Sequence, residues 1–248
     1  MKDLSVHLHL YYEDMGIYLL KKLSKIWRGE IYLSLVEDNC CNNILLRIAQ
    51  NTFDTVNVTF IENKGNDQYG FYKTFQKNKD DTTWILYWHD KSLRKQDWLS
   101  ELTDIFINED NQLLLEQYTN NSSKCGIISA SKHKYKTMDA EKLIHESHNI
   151  SFPYRQKLVR SLQTIIWLKE LEFLLKVKHD LYNEEDVYPF FTAGNIFLIR
   201  RDVLEFSHSV IHENFFENFY REDGDVGHAL ERFYYYVSKT MGYKNYFI

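Results

Sequence analysis

Hydrophobic and polar positions alternate with period two from Leu4 to Tyr11, with His7 and His9 on one face and Val6, Leu8 and Leu10 on the other, which predicts a strand. The period then lengthens. Met15, Tyr18, Leu19, Leu20, Leu23 and Ile26 recur at helical spacing between Glu13 and Trp27. Glu30 to Val36 reads as a second strand, and Ile44, Leu45, Ile48 and Phe53 as the apolar face of a helix that Asn42 or Asn43 would cap. A third strand is predicted over Val56 to Ile61, a helix from about Tyr69 to Gln76, and a strand buried on both faces at Trp84 to Trp88. That run stops abruptly in His89-Asp90-Lys91-Ser92. Amphipathic spacing over Gln96 to Ile107, a helix over Leu113 to Tyr118 and a buried-strand run at Cys125 to Ala130 complete the first half.

Strand and helix alternating in this way argue for an α/β fold: a mostly parallel Rossmann-type sheet flanked by helices. Right-handed crossovers put the carboxyl ends of its strands on one edge, where ligands of open α/β sheets bind. The second half is different. Residues 136–150 are polar and weakly periodic, whereas Arg155 to Lys178 carries a long helical pattern of one helix or two, with a partner-binding or interfacial helix as the other reading. Pro189 is expected to stop that region. Phe190 to Arg201 reads as a strand with a central Ala-Gly-Asn, followed by a short helix near Val203, an aromatic helix over Phe215 to Tyr220 and a last helix starting near His228. No linker or repeat is visible. The expectation is one domain over 1–248, with a nucleotide-binding half at 1–130 and a helical insertion and acceptor-side half at 131–248.

Composition narrows the function. A formal charge of -5 is a poor match to nucleic acid but leaves room for a local basic pocket. Nine Gly and two Pro predict short loops. Three Cys, two of them adjacent, make neither a disulfide framework nor a zinc pattern, and reduced thiols in a cytoplasmic protein are expected. No leader-like segment is seen, and no apolar run approaches membrane-spanning length.

Four stretches offer chemistry. Glu62-Asn63-Lys64-Gly65-Asn66-Asp67 joins a strand to a helix, so Gly65 permits close backbone approach and the helix start offers N–H groups to an anion; a capped tight turn is the plain alternative. His89-Asp90-Lys91 stands where a metal-dependent sugar transferase would carry Asp-x-Asp. Lys91 and a protonated His89 would neutralise a leaving diphosphate without metal. Gly194 and Asn195 put small residues within a bulky run, marking close approach of a ligand or a packing bulge. In the acidic stretch before the last helix, Asp225 fits a helix cap and Asp223 is freer to act as a base on an acceptor hydroxyl; His228, Glu231 and Arg232 would support that loop. The pairs His145/His148 and His208/His212 lack further ligands and read as structural or surface residues.

Taken in order, His7 to Tyr12, Glu62 to Asp67, Leu86 to Ser92, Phe191 to Arg201 and Asp223-Gly224 through Arg232 resemble the rhamnan synthesis protein F family of bacterial polysaccharide glycosyltransferases. Two departures stand out. Lys64 and Asn66 replace the arginines of the family's Glu-Asn-Arg-Gly-Arg-Asp, and Asp90 replaces the Thr of its His-Thr-Lys. The resemblance implies a GT-A-like fold and transfer of a sugar, often rhamnose, onto a growing capsule or lipopolysaccharide at the inner face of the membrane. On that reading a dTDP-, UDP- or GDP-linked donor lies near Tyr11, Glu37, Asn63, Lys64, Gly65, Asp67, Gly194 and Asn195. His89, Asp90 and Lys91 face the diphosphate, Asp90 is the residue that would hold Mn²⁺ or Mg²⁺, and Asp223 is the general base. Its partners would be the glycan acceptor, the inner membrane surface and other polysaccharide-synthesis enzymes. The rival is a non-catalytic assembly protein of the same fold.

Overall fold

The computed structural model describes residues 3–120, 124–137, 152–181, 189–216 and 225–248, with backbone alone over 152–158. Its strands are β1 (Leu4–Leu10), β2 (Glu30–Val36), β3 (Thr55–Ile61), β4 (Trp84–His89), β5 (Cys125–Ser129), β6 (Lys134–Lys136), β7 (Phe190–Thr192), β8 (Phe197–Arg200) and β9 (Lys244–Phe247). Its helices are α1 (Glu13–Leu23), α2 (Asn42–Thr52), α3 (Asn66–Lys77), α4 (Gln96–Ile107), α5 (Glu109–Thr119), α6 (Phe152–His179), α7 (Arg201–His208) and α8 (Val226–Thr240).

Seven strands form one sheet in the order β3-β2-β1-β4-β8-β5-β9, and β6 pairs with β7 apart from it. β3, β2, β1 and β4 run parallel, β8 is antiparallel to β4 and β5, and β9 is parallel to β5. The expected mixed α/β architecture with a mostly parallel sheet is the one observed. Chain 131–248 is threaded into it, because β8 sits between β4 and β5.

The two sheet faces are unlike. Val6, Leu8, Leu10, Leu86 and Trp88 pack into a core with residues of α1, α2 and α4. The other face of β1 is polar, yet His7 is fully buried and His9 nearly so. Both are hydrogen-bonded: His7 Nδ1 lies 3.0 Å from Thr74 Oγ1, and His9 Nδ1 3.0 Å from Ser34 Oγ. α3 can lie on this polar stripe because residue 70 is Gly; a Cβ there would stand 2.5 Å from His9 Nδ1.

Several local expectations are corrected. Asn42 opens α2 but does not cap it; its amide donates to the carbonyls of Val36 and Glu37, at 2.7 and 3.2 Å, and pins the loop after β2. The long pattern is one helix, which ends at His179 with Asp180 in the left-handed region rather than at Pro189. The run Phe190–Arg201 is broken into β7 and β8 by a turn in which Gly194 and Asn195 have φ of +113° and +52°. Alternation failed there because small residues make that turn inside an apolar stretch. β6 and β9, three and four residues long, are too short to carry a period. Most of the expected helix over Phe215 to Tyr220 lies outside the described residues.

Candidate active site

A cleft of about 760 Å³ opens at the carboxyl edge of β1–β4, roofed by the start of α8, the β7–β8 turn and one face of α6. Tyr11, Asn63, Lys64, Asp67, His89, Asp90, Lys91, Gly194, Asn195, His228, Glu231 and Arg232 line it. Two predicted residues do not. Glu37 is exposed and Val36 lines the wall instead, while Gly65 is covered by Phe216. Asp223 lies outside the described residues.

His89 and Lys91 leave β4 on one side of the sheet and Asp90 on the other. Asp90 turns back under α1, where its Oδ2 accepts the N–H groups of Tyr11 and Tyr12 at 2.9 and 2.7 Å. Burial raises its carboxyl to about 7, against the pull of those two donors. This oxygen is committed to the backbone. Among the described residues no group of three or more His, Cys, Asp or Glu is arranged to hold a metal ion.

His89 Nε2 lies 2.6 Å from the Gly194 carbonyl. A carbonyl only accepts, so this shorter contact puts the proton on Nε2, and Lys91 Nζ, 3.2 Å from the same nitrogen, does not donate to it. Burial holds the imidazole down at about 4, although Asp67, whose Oδ2 is 3.7 Å away, pulls the other way. His89 is thus neutral at pH 7 and brings no charge to an anion; it fixes the turn. The Gly194 N–H donates to Glu231 Oε1 at 2.9 Å. The two backbone groups of Gly194 therefore tie the end of β4 to α8. Only Gly fits, since φ is +113° and a Cβ would stand 2.6 Å from Leu102 Cδ1.

Lys91 reaches over the Trp98 ring, 4.7 Å from its centroid, and has no carboxylate within 4 Å among the described residues. Burial lowers its pKa, and Asp67 and Glu231 oppose the shift from further off. Lys95 shares the same ring at 5.0 Å. Asn195 Oδ1 and Trp98 Nε1 are buried with no hydrogen-bond partner among the described residues, and both residues line the same cleft as Lys91.

The starts of α3 and α8 are tied together. Asn66 Nδ2 donates to Asp225 Oδ2 at 2.8 Å, and Asp225 Oδ1 caps α8 by accepting the backbone N–H of His228 at 3.0 Å and lies 2.7 Å from its Nδ1. The predicted cap role of Asp225 is observed. Asp67 sits in the first turn of α3, where the macrodipole favours a carboxylate. Burial alone would raise its pKa, but His89, Lys91 and His9 bring it below the usual value. Lys64 is held by Glu62 and Glu213 at 3.1 and 3.7 Å, above the ring of Tyr69. Arg232 stacks its guanidinium 4.4 Å from the Phe191 centroid, and burial raises the pKa of Glu231.

Lys64, Lys91, Lys95, Lys136 and Arg232 line the cleft against Glu62, Asp67, Asp90 and Glu231. Two of those four acids are shifted toward neutrality. In a chain of formal charge -5, cations are concentrated here. His9, Lys95, Trp98, Tyr135 and Phe191 also line the cleft and were not singled out. Trp98 falls within the amphipathic run Gln96 to Ile107, and the basic Lys91 and Lys95 just before it were the available signal.

The family model described as rhamnan synthesis protein F matches residues 1–243. No curated protein sequence matches the chain. Among solved structures, mouse xyloside xylosyltransferase 1 in its apo form aligns with a TM-score of 0.29 and 10% identity, covering 58% of this chain and 57% of that protein. The family match extends from the first strand to the last helix, and on that ground the chain belongs to the rhamnan synthesis protein F family.

Proposed function

We propose that the chain is a glycosyltransferase that moves a sugar, with rhamnose the first choice, from a dTDP-, UDP- or GDP-linked donor to a growing capsule or lipopolysaccharide. It works on the cytoplasmic side of the inner membrane. Membership of a rhamnan synthesis family supports a role in polysaccharide synthesis. The observation that carries the enzyme reading is the partly buried Lys91 ammonium, with no carboxylate within 4 Å among the described residues, in a cation-lined cleft at the carboxyl edge of parallel strands.

In that reading the donor diphosphate lies against Lys91 and Lys95, with Asn63, Lys64 and Asp67 toward the nucleotide and Gly194 and Asn195 toward the sugar. A carboxylate takes the proton of the acceptor hydroxyl as its oxygen bonds to the anomeric carbon. The bond from that carbon to the diphosphate breaks, and the diphosphate leaves with the electron pair. Negative charge grows beside Lys91, where low dielectric makes the attraction strong. Asp223 is the proposed base, by resemblance to the family. Glu231 is the described carboxylate nearest that role, and His89 acts as a positioning residue through Gly194. Attack from the face opposite the diphosphate would invert the anomeric centre.

The test is calorimetry with dTDP-, UDP-, GDP- and CMP-sugars, each with and without Mn²⁺ or Mg²⁺. One donor should bind, and Lys91→Met should weaken it by at least about tenfold, the worth of one charge-assisted contact. No binding under any condition favours the assembly-protein reading. Binding untouched by Lys91→Met removes Lys91 from the diphosphate. Asp223→Asn and Glu231→Gln, assayed for transfer, separate the two candidate bases, and NMR of the product linkage reads its configuration.

A further inference from the structure

α6 has two apolar faces. Leu168, Leu171 and Leu175 are fully buried against the rest of the second core. On the opposite side Val159, Ile166, Phe173 and Val177 are 54, 68, 59 and 49% exposed. At about 100° per residue these four fall within about 40° of one another, one stripe along the outer face. Scattered exposed apolar residues are ordinary, but a row of them along one helix marks a contact surface.

Charge selects the partner. Residues 152–179 hold six Lys or Arg against two Glu, a formal +4 within a chain of -5. Lys169 and Lys176 stand about 40–60° from the stripe on one side, and Arg160 and Lys178 about 100° from it on the other. Lys169 also pairs with Glu172 at 3.5 Å along the helix, and Lys178 reaches across to the Ser209 carbonyl. An apolar stripe between two basic rows is the pattern of a helix that lies in an anionic lipid interface. No described helix is long and apolar enough to cross a membrane, so contact is parallel to the surface. A second copy of the same face fits less well, because its basic rows would meet basic rows.

We infer that α6 docks this protein on an anionic lipid surface through Val159, Ile166, Phe173 and Val177. The inference does not depend on catalysis. It does bear on it, since Ser161 and Ile165 of the same helix line the cleft, about one helix diameter from the docked stripe. An acceptor held on lipid would then meet the site from the side.

The experiment is co-sedimentation of the full chain with phosphatidylcholine vesicles and with vesicles containing added phosphatidylglycerol. Binding should appear with phosphatidylglycerol and weaken in high salt. The double variant Ile166→Glu/Phe173→Glu should bind at least about tenfold less, with circular dichroism and melting unchanged. Glu170 is the acid that shares the stripe, so Glu170→Lys should bind more tightly. Leu113→Glu, an exposed site on α5, should have no effect. Absence of vesicle binding overturns the inference, as does binding that none of the α6 variants changes. A dimer that the double variant dissociates, without vesicle binding, assigns the face to a second copy instead.

Discussion

Asp90→Asn should stabilise the protein above neutral pH. The Asp90 carboxyl is 5% exposed and sits at about 7, against an ordinary 3.8. That difference of about three pH units corresponds to about 4 kcal/mol at about 1.4 kcal/mol per unit. The sign follows from proton counting. Between pH 4 and 7 the unfolded chain has lost this proton and the folded chain keeps it, so stability falls as pH rises through that window. Asparagine keeps an oxygen for the Tyr11 and Tyr12 N–H groups but cannot ionise. The variant should therefore match the parent near pH 4 and gain on it steadily, by about 3 kcal/mol between pH 5 and 8. Urea titrations followed by tryptophan fluorescence, run on both proteins at pH 5, 6, 7 and 8, measure this gain. The other buried titrating groups cancel in the difference. A constant difference across the range would refute the reasoning and mean that the buried carboxyl titrates normally. A gain in stability paired with lost activity would show what the charge is kept for.

Two further outcomes follow from the same geometry. Gly194→Ala requires a Cβ 2.6 Å from Leu102 Cδ1 at φ +113°, so it should cost more than about 1 kcal/mol in thermal unfolding and weaken donor affinity by displacing the backbone groups that join His89 to Glu231. An unchanged melting point would mean that the turn relaxes freely. Burial holds His7 and His208 down at about 3 and His9 and His89 at about 4. Their folded state refuses protons that the unfolded chain accepts, so their contribution to stability is complete above about 6.5 and is lost as pH falls toward 4. Melting followed by circular dichroism should show this fall, and His208→Phe, set among Phe71, Tyr72 and Phe75, should reduce it.

The first half of the fold is legible because its strands are seven or six residues long and, apart from the edge strand β3, almost wholly buried, with helices of eleven or twelve residues between them. Period and length agree, and the element types follow. The second half departs from the pattern for stated reasons. α6 is apolar on both sides, so its one-sided periodicity is weak. β7 and β8 belong to different sheets although only four residues separate them. Nothing in local propensity distinguishes a strand that continues from one that turns out of its sheet; the small pair Gly194-Asn195 marked the point without revealing which.

The site shows the same limit at finer grain. His89-Asp90-Lys91 was legible as a cluster, because a buried strand that ends in three titratable residues must aim them somewhere. Spacing could not say where. Side chains of a strand alternate, so His89 and Lys91 share the side of the sheet that faces α8 while Asp90 points to α1. Their charges then diverge chiefly through burial: His89 is neutral, Asp90 is near its midpoint at pH 7, and Lys91 is the ammonium without a close counter-ion among the described residues. A sequence lists three ionisable groups in a row. The fold turns one into a strut for the Gly194 peptide and one into a clamp on the start of α1, and leaves the third facing the cleft. That division makes Lys91, and not its neighbours, the residue on which an anionic ligand of this cleft should depend.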